Sequence, residues 1–328
     1  MTILVTGGAG YIGSHMAWAL ADRGIPFLVL DTLERGFREL VPPAAVFVEG
    51  DAGDTALVAR LIEEHGIREV VHFAGLIVVS ESVEHPDLYR ERNTEVSRRL
   101  IETAAASGVE RFIFSSTASV YGMAGLGPLT ETLECHPVNP YAQTKLDTEG
   151  TLTEVAEDSP MRFGILRYFN VVGADPKGRT GHTTKTATHL IKVACQAALG
   201  QRDGITVFGT DYPTPDGTCI RDYIHVCDLV EAHLALLEDL RAGGESGILN
   251  CGYGSGYSVW EVIEAVKTVS GVDFHVQTGP RREGDPASLV ADVGRMRARL
   301  GWVPPPRPLA DVVRSAYDWD VKLAAGRV

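Results

Sequence analysis

The stretch Gly7-Gly8-Ala9-Gly10-Tyr11-Ile12-Gly13 narrows the choice of fold more than anything else in the chain. Thr2 to Thr6 before it is a short β-rich run, and Ser14 to Arg23 after it reads as helix. Ile25 to Leu30 is a second apolar run, closed by Asp31. Strand, glycine turn, helix, strand and acid in that order make a dinucleotide-binding unit. Gly7 and Gly10 let the backbone turn tightly and approach a pyrophosphate, whose charge then rests on the N–H groups at the helix start. Gly13 lets that helix lie close to the strand. Asp31 is placed to accept hydrogen bonds from an adenosine ribose and to repel a 2′-phosphate. NAD is therefore favoured over NADP, although Arg35 stands nearby. A glycine triplet alone occurs in ordinary turns; the flanking strands and the spaced acid carry the reading.

The same alternation continues. Ala45 to Glu49 reads as a strand leading to Gly50-Asp51, and Thr55 to His65 as an amphipathic helix. Glu69 to Phe73 is a strand that opens into Ala74-Gly75. The pattern predicts one long helix from Pro86 to Gly108, then a strand Arg111–Phe114 ending at Ser115-Ser116-Thr117. Tyr141 to Glu157 is helix and Arg162 to Arg167 strand. Successive βα units imply an α/β fold: a Rossmann-type doubly wound parallel sheet with ligands beyond the C-terminal strand ends. Asp51, Phe73, Ala74, Gly75, Ser115, Ser116, Thr117 and Asn170 stand at those ends. Past residue 170 the rhythm breaks, with helices expected at Thr186–Gly200, His225–Leu240 and Ser258–Gly271 and a returning strand at Gly247–Cys251. Residues 1–170, with returning segments about 220–252, form the expected nucleotide domain. Residues 171–328 form a smaller, interleaved C-terminal α/β substrate domain.

A net charge of −13 speaks against nucleic acid or an anionic membrane as partner, while leaving room for a local basic pocket. The cysteines at 135, 195, 219, 227 and 251 show no metal-knuckle spacing. No metal site is expected, and reduced thiols fit a cytoplasmic protein. The N-terminus reads as a strand rather than a signal peptide, and no apolar run approaches the ~20 residues of a membrane span.

Tyr141 and Lys145, four apart behind the helix-start signal Asn139-Pro140, share one helix face. A lysine ammonium favours phenolate and would make the tyrosine a general base near neutrality. The lysine can also reach the hydroxyls of a nicotinamide ribose, and Thr117 could hydrogen-bond the same substrate hydroxyl as Tyr141. Such pairs are common on surface helices; behind a nucleotide fold they read as catalytic.

Thr6 to His15, Phe114-Ser115-Ser116-Thr117 and Tyr141-x-x-x-Lys145 resemble the extended short-chain dehydrogenase/reductase superfamily. Arg167-Tyr168-Phe169-Asn170, Asp211 to Thr218, Arg221 to His225 and Arg281 to Pro286 narrow the resemblance to UDP-galactose (UDP-glucose) 4-epimerases, from residue 1 to about 320. The resemblance implies tightly held NAD that takes hydride from C4 of a UDP-hexose while Tyr141 takes the O4 proton. The 4-keto sugar then turns over and is reduced on its other face. Lys145 would lower the Tyr141 pKa and Thr117 would assist at O4. Tyr11, Ile12, Asp31, Asp51, Ala52, Phe73, Ala74, Gly75, Asn93 and Phe169 would line the NAD site with Gly7, Gly10 and Gly13. Asn170, His189, Leu190, Thr206, Val207, Phe208, Arg221, Tyr223, Arg282 and Asp285 would hold the UDP half. Taken singly, the two arginines would pass for surface residues, and Phe208, His225 and Cys227 for core. Family members are often homodimers, paired through helices matching Pro86–Gly108 and the one after Tyr141.

Four features depart from the family pattern; one is the ribose loop Asp31-Thr32-Leu33-Glu34-Arg35-Gly36, which lacks the usual asparagine after the acid. Ile77 stands where many members carry a lysine near the nicotinamide, His189 where many carry asparagine, and Leu289 where a tyrosine limits room at the sugar C2. Leu289 keeps 4-epimerisation of UDP-N-acetylhexosamines or a UDP-pentose open. A 4,6-dehydratase is disfavoured because Ala118-Ser119, not an acidic pair, follows Thr117. A non-catalytic dinucleotide-binding redox sensor would have no use for Tyr141, Lys145, Thr117 and a UDP clamp together.

Overall fold

The apolar runs flanking the glycine turn are buried outright: Ile3, Leu4 and Val5 in one, Leu28 and Val29 in the next, all at zero exposure. Continuous burial of this kind belongs to strands covered on both faces. The computed structural model describes residues 2–184, 188–302, 304 and 307–327. Its strands are β1 (Thr2–Thr6), β2 (Phe27–Asp31), β3 (Val46–Glu49), β4 (Ile67–His72), β5 (Arg111–Thr117), β6 (Arg162–Tyr168), β7 (Asn170–Val172), β8 (Ile205–Phe208), β9 (Ile220–His225), β10 (Gly247–Cys251), β11 (Gly256–Ser258), β12 (Val276–Gly279) and β13 (Ser288–Leu289).

Seven strands form the main sheet in the order β10-β6-β5-β4-β1-β2-β3. β1 pairs in parallel with β2 on one side and β4 on the other, and the parallel register continues to β3 and β5. The winding direction therefore reverses between β1 and β4, the switch point where such sheets bind ligands. One face is filled by a cluster built from Leu4, Leu28, Val70, Phe112 and Ile165 with Val58, Leu61 and Ile62 of the helix Thr55–His65 and Leu100 and Ile101 of the helix Val96–Ala106. Burying each such side chain stabilises the fold by about 1.5–3 kcal/mol before conformational entropy is counted.

Contacts divide the chain into two units. Unit 1 comprises Met1–Val120, Cys135–Arg167 and Val230–Leu249; unit 2 comprises Tyr121–Glu134, Tyr168–Leu229 and Asn250–Val328. Of the expected nucleotide domain, Tyr121–Glu134, residues 168–170 and the ends of the returning segment, residues 220–229 and 250–252, fall in the second unit. Unit 2 has its own core, in which Ile191, Ala194 and Cys195 pack with Val262, Ile263, Val266, Val312 and Val313. A four-stranded sheet of β11, β9, β13 and β7 and a two-stranded sheet of β12 and β8 complete it.

Local signals explain the element ends. Ser258 and Glu261 form a reciprocal capping box that opens the helix Val259–Ser270, and left-handed Gly271 closes it. Asn139 accepts from the Ala142 N–H, with Pro140 in the first turn, and so starts the helix Pro140–Glu157. Two expectations need correction. The span Pro86–Gly108 is not one helix: Pro86–Tyr89 and Val96–Ala106 are joined by a π-helical segment, Arg90–Glu95. The helix expected from Thr186 begins at Leu190, and residues 185–187 lie outside the described residues.

Candidate active site and nucleotide-binding residues

Unit 1 builds a dinucleotide cradle from glycine geometry. Gly7 has φ +69°, and a Cβ there would stand 2.5 Å from the Ala74 backbone nitrogen. A Cβ on Gly13 would stand 2.1 Å from the Gly7 carbonyl oxygen. Only glycine fits at these two positions, so backbone lines the surface that a pyrophosphate would approach. The helix Tyr11–Asp22 starts at Gly10 with no side-chain cap, and the positive end of its dipole meets the glycine turn, where an anion would rest. At the end of β2, buried Asp31 accepts from the N–H groups of Ala9 and Leu33, each at 2.9 Å. These bonds hold the carboxylate between glycine turn and following loop, and each oxygen keeps accepting capacity for ribose hydroxyls. Burial raises the Asp31 pKa and the two N–H groups oppose the rise. Asp51, at the end of β3, accepts from Gly53 N–H at 2.7 Å and from Arg92 at 3.1 Å. Arg35, the residue that left NADP open, is ion-paired to Glu81 at 2.7 Å. The cradle, the helix start and the ribose acid fit NAD.

The loop after β4 is held from below. Asn93, buried in the π-helical segment, accepts from Leu76 N–H at 2.7 Å and donates to Leu76 O at 3.0 Å and Thr144 Oγ1 at 3.1 Å. Its side chain therefore fixes Phe73-Ala74-Gly75 and the following turn against the helix that carries Tyr141. Ala52 is buried, Phe73 and Ala74 are half-buried, and Ile77 is exposed.

The residues expected to react stand at the start of the helix Pro140–Glu157 and the end of β5. Tyr141, Lys145 and Thr117 are all buried. Burial pushes the Tyr141 phenol up to about 12, with the Thr117 hydroxyl opposing the rise. Lys145 donates to the Ser115 carbonyl at 3.0 Å and lies 4.9 Å from the Phe114 ring centre. Burial pulls its pKa down to about 8, against the raising effect of Glu149. The expected lowering of the phenol by Lys145 is thus not what the protein alone shows: the phenol is raised by desolvation, and Thr117 is what opposes the rise. Thr117 exchanges contacts with Ser119, its hydroxyl accepting from Ser119 N–H at 3.1 Å.

Sequence reasoning missed what lies under this pair. Glu149, one turn beyond Lys145, is buried and accepts from Arg167 through Nε at 3.0 Å and Nη2 at 2.6 Å, and from Ser116. Tyr141, Lys145 and Glu149 form an i, i+4, i+8 stripe, the one signal that could have found it. His72 at the end of β4 is neutral and structural, bonded to Thr6 at 2.6 Å and Ser97 at 2.8 Å, with burial pulling its pKa down to about 3.

Unit 2 gathers the residues expected to hold UDP. Asn170 on β7 registers with Tyr223 on β9, and Arg221 on β9 registers with Leu289 on β13. Arg221 is largely buried and ion-paired to Asp285. Thr206, Val207 and Phe208 lie on β8, whose partner β12 runs into the loop holding Arg282. The Arg282 guanidinium lies 4.0 Å over the Phe208 ring, so Phe208 is a stacking platform rather than core. His189 precedes Leu190 at the start of the helix Leu190–Ala198, its ring edge-on to His182 at 5.4 Å. Tyr223 and Phe169 are buried, and so is His225, while Cys227 is only partly covered.

The sheet order, glycine cradle and Tyr141–Lys145 pair define an NAD-binding protein of the short-chain dehydrogenase/reductase type. Residues 3–252 match the family described as the NAD dependent epimerase/dehydratase family, and the chain belongs to it. It is 51% identical over 321 residues to a UDP-glucose 4-epimerase of Azospirillum brasilense, covering 98% of this chain and 92% of the relative. A UDP-glucose 4-epimerase from Brucella ovis solved in complex with NAD superimposes with a TM-score of 0.93 at 39% identity, covering 97% of each chain. A UDP-Glc/GlcNAc 4-epimerase from Campylobacter jejuni does so with a TM-score of 0.86 at 44% identity, covering 98% of this chain and 99% of that one.

Proposed function

We propose that the chain interconverts UDP-galactose and UDP-glucose by epimerisation at C4, with NAD held in unit 1 as a resident cofactor. The observation that carries the reading is the conjunction of the glycine cradle, the buried Tyr141–Lys145 pair and the basic Arg221 and Arg282 positions in a chain of net charge −13. NAD, when bound, supplies the acceptor and later the donor of the C4 hydride. Tyr141 takes the O4 proton as C4 is oxidised and returns it as the opposite face is reduced, so the reaction is redox-neutral. Thr117 holds the same O4 oxygen, and Lys145 supplies the positive charge the phenolate needs. With the phenol at about 12 in the protein alone, added positive charge at the site is a requirement. Arg221 and Arg282 balance the diphosphate, with Asp285 orienting Arg221. Asn170, Tyr223, Phe208, Leu190 and His189 seat the uridine and phosphates.

Leu289 favours a second substrate set. It is half-buried beside Arg221, and a leucine there leaves more room at the sugar C2 than the family tyrosine, which fits UDP-N-acetylhexosamines as additional substrates. A homodimer paired through the helices Val96–Ala106 and Pro140–Glu157 and a cytoplasmic location complete the reading; free cysteines support the latter. No helix among the described residues is long and apolar enough to cross a membrane.

The test is Tyr141→Phe. It should retain stoichiometric NAD and lose at least about 10²-fold in turnover of UDP-galactose, since only proton transfer is removed. Wild-type turnover in that variant would refute the assignment of the base.

A further inference from the structure

The strand order fixes what the connections between the β2 loop and the helices after β4 must cross. β1 lies between β4 and β2, so any link from the loop after β2 to the helices after β4 must pass over the C-terminal end of β1. That end carries the glycine turn. Two consecutive residues of the β2 loop make such links. Glu34 is ion-paired to Arg92 in the π-helical segment, and Arg35 to Glu81 in the helix Val79–Glu84.

We propose that the Glu34–Arg92 and Arg35–Glu81 ion pairs form a clasp across the dinucleotide groove that slows the escape of NAD. The inference rests on the NAD reading of the β1–β4 strand ends. Each end of the clasp is anchored by further hydrogen bonds. Asp31 holds the loop through the Leu33 N–H. Leu33, at φ +59°, is the one non-glycine residue with positive φ among those described. A left-handed leucine is unfavourable, and here it turns the chain so that residues 34 and 35 reach across. Gly36 returns the loop to the cradle: a Cβ there would stand 2.8 Å from Ala9 Cβ and from Asp31 Oδ1, and Phe37 N–H bonds Ala9 O at 2.9 Å. On the far side, the Tyr89 hydroxyl, 2.9 Å from the Glu81 carboxylate, fixes the acceptor for Arg35. Arg92 donates at the same time to Asp51, joining the clasp to the end of β3.

One exposed ion pair is worth little, and Arg35 and Glu34 are both more than half exposed. Two pairs on one short loop act together, and their contribution falls with salt as the screening length shrinks to about 3 Å at 1 M. The experiment measures NAD release from the intact, NAD-loaded protein by chase with labelled NAD. Glu34→Gln/Arg35→Gln leaves net charge unchanged and should speed release about three- to tenfold at low salt. Glu34→Arg/Arg35→Glu, also with unchanged net charge, makes both bridges repulsive and should be faster still. In 1 M NaCl the unaltered protein should release NAD as fast as the Gln variant. Equal release rates at low salt for the unaltered protein and the Gln variant, with stoichiometric NAD in both, would overturn the clasp alone. Absence of NAD from every preparation would overturn the clasp and the cofactor reading together.

Discussion

Lys145 is a charge kept where water is scarce. The proposed mechanism asks for its ammonium beside Tyr141, yet burial pulls its pKa from 10.5 down to about 8. Below about pH 8 it is protonated in both folded and unfolded chains, and its desolvation opposes folding in full. Between about 8 and 10.5 the folded protein gives up a proton that the unfolded chain keeps, so stability rises with pH in that window. Lys145→Met in NAD-free protein should therefore be more stable than the unaltered chain at pH 7, by about 1–3 kcal/mol, with the gain fading toward pH 10.5. Urea melts at the two pH values read this directly; a variant less stable at pH 7 would show that the Ser115 and Phe114 contacts outweigh desolvation. The spacing of Tyr141 and Lys145 made them readable in the sequence. Glu149 was not readable, because a glutamate four residues on is ordinary for an exposed helix. Its burial goes with its ion pair to Arg167, which arrives from β6.

At the scale of elements, short-range chemistry was the most legible. The serine cap at 258, the Asn139-Pro140 start and the strand ends at Asp31 and Asp51 all fall where local rules place them. The π-helical segment did not, because Arg90–Glu95 is polar throughout and carries no apolar period in which an extra residue per turn would show. Its consequence is specific: it carries Asn93 onto the turn after β4 and onto Thr144. Asn93→Ala should lose about 1–3 kcal/mol of stability, since the Leu76 N–H and C=O groups are left without their side-chain partner. It should also lower turnover, because the same bonds tie the β4 turn to the helix of Tyr141. Denaturant melts alongside initial rates check both; unchanged rates in a folded variant would make Asn93 a purely structural residue.

Across the whole molecule, a doubly wound sheet followed from the alternation of apolar runs, and the sheet has that form. The boundary between units was harder to read because it depends on contacts distant in sequence. Tyr121–Glu134 joins unit 2 through Tyr121 O–H donating to Asn250 at 2.7 Å, Asn250 donating to Leu129 O at 2.7 Å, and a bridge from Leu129 to Ala291. None of these pairings leaves a periodic trace. The division of the proposed chemistry is clearer than the division of chain: Tyr141, Lys145 and Thr117, proposed to handle the proton, fall in unit 1, and Arg221 and Arg282, proposed to hold the diphosphate, fall in unit 2.

The measurement that tests this account most directly is turnover of UDP-galactose by the purified protein with no NAD added, with UDP-N-acetylgalactosamine run beside it. Steady formation of UDP-glucose from cofactor already in the protein is expected, with measurable formation of UDP-N-acetylglucosamine because of Leu289. No product from either sugar, in a preparation shown to carry one NAD per chain, would contradict it.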